Sequence, residues 1–109
     1  MAEKSSRRQI LERSLADDPD DPFLRYGLAL QCLGESDTRE GRDRLIALIA
    51  DLPDAPETVA ACQQLGQSYL DSHDFELARQ ALEAGIAKAQ KQGHAHAAAE
   101  MNGLLAQLD

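Results

Sequence analysis

Apolar residues recur along the chain at spacings of three and four, and Gly, Pro or Asp-rich breaks divide them into separate runs. Ile10, Leu11 and Leu15 mark one face of a helix over 6–16, opened by Ser6-Arg-Arg-Gln9 in the form of a capping box. Arg7 and Arg8 in its first turn oppose the helix dipole, which predicts a frayed start. Asp17-Asp-Pro-Asp-Asp-Pro22 breaks the chain; Asp20 or Asp21 caps the next helix, and Pro22 suits its first turn. From Phe23 to Leu33 apolar side chains fall at 23, 24, 26, 28, 30 and 33, too broad a stripe for a one-sided surface helix. The spacing predicts cover on two sides. Gly34 to Asp37 makes a turn, Asp37-Thr-Arg-Glu40 is a second capping box, and Leu45, Ile46, Leu48, Ile49 and Leu52 form the buried face beyond it. Pro53 ends that helix.

Asp54-Ala-Pro-Glu57 is a third cap signal and opens a helix to Asp71. Ser72-His73-Asp74 turns the chain back into a helix from Phe75 to Gln92, with Gly93 as its stop. A last helix over 94–107 shows Ala97, Met101, Leu104 and Leu108 on one side. No segment sustains the two-residue alternation of a strand. The pattern predicts an all-α domain of six helices: an N-terminal helix at 6–16, two longer units at 20–53 and 54–91, and a capping helix at 94–108.

Composition agrees with close helix packing. Ala supplies much of the apolar share, and aromatics make up 4% of the 109 residues. The net charge of −8 disfavours nucleic acid or an anionic membrane as partner, since both call for a basic footprint. No apolar run is long enough to span a membrane, and Met1 to Leu15 lacks the apolar core of a signal peptide, so a cytoplasmic location is expected. Cys32 and Cys62 fall at opposite ends of their helices, which predicts thiols rather than a bridge.

Candidate chemistry changes little. His94 and His96 are two apart and point to different faces of a helix, the wrong spacing for a shared metal. Asp71, His73 and Asp74 sit in a helix hairpin, where Asp74 has a capping role and His73 occupies a position that favours positive φ. The Asp17–Asp21 cluster lacks the Gly and distal Glu of a calcium loop. With no phosphate-binding loop and no nucleophile motif, the reading is no enzyme, no metal and no cofactor.

One stretch carries a family signature. Leu65-Gly66-x2-Tyr69 followed by Ala78-x3-Leu82 has the L-G-x2-Y … A-x3-F spacing of a tetratricopeptide hairpin, with Leu in the Phe position. Upstream, Phe23-x2-Tyr26-Gly27-x2-Leu30 … Gly41-x3-Leu45 … Pro53 echoes it. Gly27 and Gly66 lie 39 residues apart (66 − 27) against a usual repeat of about 34. That pairing assigns two extra residues to the Gly34–Asp37 turn and three to the Leu52–Glu57 linker. The chain therefore resembles a small bacterial tetratricopeptide-repeat (TPR) protein over about Asp20 to Lys91, with Cys62 in the Trp position and Gln90 in place of the closing Pro. The resemblance implies a right-handed superhelical stack of antiparallel hairpins. It also implies a concave groove for a peptide or amphipathic helix, lined by Leu24, Leu28 and Gln31 in the first copy and Gln63, Gln67, Leu70 and Asp71 in the second. Lys, Arg and Asn, which in this family clamp a C-terminal carboxylate, are missing from those positions.

The expected function is a non-catalytic protein-interaction module. An N-terminal helix lying over Leu24 and Leu28 would fill the groove instead. A structural homo-oligomer is the alternative, with Arg39, Arg42 and Arg44 facing the Asp17–Asp21 loop of a second subunit.

Overall fold

The computed structural model describes residues 4–108. Its elements are α1 (Ser6–Asp17), α2 (Pro22–Gly34), α3 (Thr38–Asp51), α4 (Glu57–Asp71), α5 (Phe75–Gln92) and α6 (Ala95–Ala106). No strand occurs among the described residues. Helices adjacent in sequence pack against each other, and α4 also touches α2 and α6.

Local chemistry sets the breaks. Asp21 caps α2, accepting from the Leu24 N–H, with Pro22 in the first turn. Three helices end in the same left-handed turn, with Ser36 at φ 64°, His73 at φ 63° and Gly93 at φ 77°. In each the next N–H reaches back five residues: Asp37 to Cys32, Asp74 to Tyr69 and His94 to Ala89. This is the Schellman closure, which satisfies carbonyls the helix end would leave bare.

These shared turns fix the internal repeat, and they correct the pairing drawn from the motif. Asp37 corresponds to Asp74, so Gly41 matches Ala78, Leu45 matches Leu82, and Ala29 rather than Gly27 matches Gly66. The first turn carries no two-residue excess. A Cβ on Gly41 would sit 2.7 Å from Leu33 and 3.2 Å from the Ala29 carbonyl; one on Gly66 would sit 2.7 Å from Leu82. Gly27 would meet only Leu11 at 3.7 Å, an ordinary contact with α1. Its small size is not what brings α2 and α3 together.

Three apolar clusters run through the stack. Leu15 of α1 packs with Leu28 and Cys32 of α2. Ala29, Leu45, Leu48, Ala61, Leu65 and Ala81 join α2 and α3 to α4 and α5. Val59, Leu82, Ala89, Ala98 and Met101 join α4 and α5 to α6. Each hairpin thus finishes its core against the helix that follows it. Gly85 is the tightest point of the last cluster, where a Cβ would meet the Met101 sulfur at 2.5 Å and the Cys62 Cβ at 2.8 Å.

Several capping expectations fail, and Asp74 at the start of α5, like Asp37 at the start of α3, makes no side-chain cap. Ser5, not Ser6, caps α1, accepting from the Arg8 N–H at 3.1 Å. Asp37 makes no side-chain cap; its carboxylate and that of Glu40 accept from Arg8 Nη2 at 3.1 and 2.8 Å. Arg8, expected in a frayed turn, is 4% exposed and fastens α1 to the start of α3. Asp54 does not cap α4, whose first turn is held instead by Thr58 Oγ1 donating to the Ala55 carbonyl at 2.7 Å.

Candidate protein-interaction surface

The seven residues nominated as a groove do not form one open surface. Leu28 is 1% exposed and packs with Leu15 and Cys32, with Leu11 and Leu24 beside them. α1 therefore covers Leu24 and Leu28. The corrected register explains why: the counterparts of Gln63, Gln67 and Leu70 are Tyr26, Leu30 and Leu33 rather than Leu24, Leu28 and Gln31. Gln31 donates to Glu35 at 2.7 Å, Gln63 to Glu100 of α6 at 2.9 Å, and Gln67 to Asp71 at 2.9 Å. Leu70 is half-buried against the α4–α6 cluster. Gln67 and Asp71 share a depression of about 220 Å³, lined mostly by polar side chains, with Leu33, Thr38 and Gln64.

A more apolar site lies between α3 and α5. Cys62, Leu65 and Tyr69 of α4 form its floor, Ile46 and Ile49 of α3 one wall, and Leu77, Ala81 and Ala84 of α5 the other. Its volume is about 410 Å³. Small side chains make the depth: Ala50 on α3 and the two alanines on α5 leave the space that larger residues would fill. Ile46 and Leu77 stand at the walls, each 45% exposed. Isolated exposed apolar residues are ordinary, but two flanking an apolar trough form a continuous patch.

Two cations on the flanking helices are tied down within the chain. Arg42 Nε donates to Ser68 Oγ at 2.8 Å, and its Nη2 donates to the Ser68 carbonyl at 2.8 Å and Ser72 Oγ at 2.6 Å. Its guanidinium lies 4.6 Å from the Tyr69 ring centroid. The cation thus satisfies the C-terminal turn of α4 and stacks on an aromatic face. On α5, Lys88 donates to the Pro53 carbonyl at 2.8 Å. Arg42, nominated for contact with a second subunit, is engaged within its own chain; Arg44 pairs with Glu40 at 3.0 Å. Burial pushes the Cys62 thiol pKa up, and burial does the same to Cys32, so both remain protonated thiols at neutral pH.

Sequence reasoning missed this trough because it assigned Ile46 to the buried face. A signal was available. Leu45, Leu48, Ile49 and Leu52 already complete a stripe at i, i+3, i+4 and i+7, which leaves Ile46 outside it. Leu77 stands outside the Ala78, Ala81, Leu82, Gly85 stripe in the same way.

No group of three or more His, Cys, Asp or Glu side chains fit to hold a metal occurs among the described residues, and no helix there is long and apolar enough to cross a membrane. No family model and no curated protein sequence matches the chain. The solution structure of protein BPP2914 from Bordetella parapertussis, a structural genomics target, is similar, with a TM-score of 0.79 at 27% identity over 95% of this chain and 88% of that one.

Proposed function

We propose that this chain is a non-catalytic interaction module of tetratricopeptide type, which holds an apolar helical segment of a protein partner between α3 and α5. The Leu65-Gly66-x2-Tyr69 … Ala78-x3-Leu82 spacing supports the repeat assignment, because Gly66 and Ala78 both lie buried where α4 crosses α5. The observation that carries the function is the open apolar trough with Ile46 and Leu77 half-exposed on its walls. A partner that covers those two side chains removes apolar surface from water at little cost to the fold, since neither is needed for the core.

Affinity capture with the intact chain tests this against the double variant Ile46→Asp with Leu77→Asp. The variant is expected to keep its helical circular dichroism and to lose a protein that the unaltered chain retains. An identical set of captured proteins from both would remove the trough from consideration.

A further inference from the structure

We infer that the α3–α5 trough is built for a cationic amphipathic helix of about two turns, an inference that rests on the interaction reading above. Length comes first. From Leu77 to Ala84 the α5 wall advances about 10 Å at 1.5 Å per residue, which matches two turns of a partner helix with apolar side chains at i, i+3 or i+4, and i+7.

Charge then selects the flanks. Asp43 stands one turn before Ile46 on α3, and Glu76 and Glu83 stand one turn to either side of Gln80 on α5. All three are exposed, and none takes part in an ion pair among the described residues. Three cations on the flanking helices, Arg42 of α3 and Arg79 and Lys88 of α5, are each bonded to a backbone carbonyl of their own chain. Arg39 is exposed a further turn from Ile46. Along its length the trough thus presents carboxylates beside an apolar floor, within a chain of net charge −8. Lys or Arg flanking a partner's apolar stripe meets complementary charge; Glu or Asp there meets repulsion.

A second copy of this chain fits less well. Two troughs face to face would bring Asp43, Glu76 and Glu83 of both copies together. The exposed face of α1 carries Arg7 and Arg13 around Ile10, the right charge but a single apolar side chain for a volume of about 410 Å³.

The test uses two labelled synthetic peptides with the same Leu stripe at i, i+3, i+4 and i+7, one flanked by Lys and one by Glu, titrated with the full chain by fluorescence anisotropy. The Lys peptide is expected to bind roughly tenfold more tightly, the sum of two or three exposed ion pairs, with the difference largely gone at about 0.5 M salt. Glu76→Gln with Glu83→Gln should bring its affinity toward that of the Glu peptide, and Leu77→Ser should abolish binding of both. Equal affinity for the two peptides would overturn the charge preference while leaving the trough as a site. Binding of neither peptide, or binding indifferent to Leu77→Ser, would overturn the interaction reading with it. A dimer in light scattering that Leu77→Ser abolishes would make a second copy the occupant and overturn the inference.

Discussion

At the scale of single residues, two glycines in similar helical settings have opposite roles. Gly27 faces α1 with room for a methyl group, so Gly27→Ala gains helix propensity without a clash and is expected to stabilise the chain by about 1 kcal/mol. Gly85 has Met101 and the Cys62 Cβ against it, and the latter cannot rotate away. Gly85→Ala should destabilise the chain by roughly 1–3 kcal/mol through overpacking. Urea unfolding of the two variants checks the pair; midpoints moving the same way would contradict this geometry. Leu28 carries a similar lesson. Sequence spacing places it in an open groove, but α1 buries it, and a charge there would be buried without a partner.

At the scale of elements, α1 is fastened by a small apolar cluster, the Arg8 cation and the hydrogen bond from its cap Ser5 to Glu35. Burial alone would lower the pKa of the Arg8 guanidinium, but the Asp37 hydrogen bond and the Glu40 charge outweigh burial and raise it. Around it, hydrogen bonds from Ser5 and Gln31 hold the Glu35 carboxyl below the usual carboxylate range, and the Arg44 hydrogen bond with the charge of Arg8 does so for Glu40. Both folded values lie below the unfolded value of about 4.3, so their stabilisation is complete above that pH and is lost as pH falls through the folded values. The urea midpoint is therefore expected to drop on acidification below about pH 4. Glu40→Gln, which cannot titrate, should show a shallower drop; an unchanged slope would show that Glu40 does not contribute. Arg8 is also where sequence reasoning was blind. Dipole rules see a cation in a first turn, whereas its partners at 35, 37 and 40 are brought near only by the packing of α1 on α2.

At the scale of the whole molecule, the stack has no single centre. Its radius of gyration of 14.0 Å slightly exceeds the roughly 13 Å of a compact domain this long, as suits helices laid side by side. Because each hairpin borrows its next helix to finish a core, the last hairpin depends on α6. Removing residues 94–109 would take Met101 and Ala98 out of the final cluster and expose Val59, Leu82 and Ala89 to water. The truncated chain is expected to lose several kcal/mol, the scale of deleting a large buried side chain and its neighbours. A urea midpoint within error of the full chain would mean that α4 and α5 close their core alone.

Element existence and type were legible in the sequence, because helix periods and Pro and Gly breaks act between near neighbours. Asp21 at the start of α2, His73 in a left-handed turn and Gly93 at the end of α5 all follow from chemistry within a few residues. Only tertiary structure decided the rest: which glycine lies at a close crossing, that Arg8 is buried, that Leu28 is covered, and that the open apolar surface lies between α3 and α5. Those outcomes depend on which faces of distant helices meet. A repeat register two residues off turns a helix by more than half a revolution, enough to exchange an exposed row for a buried one.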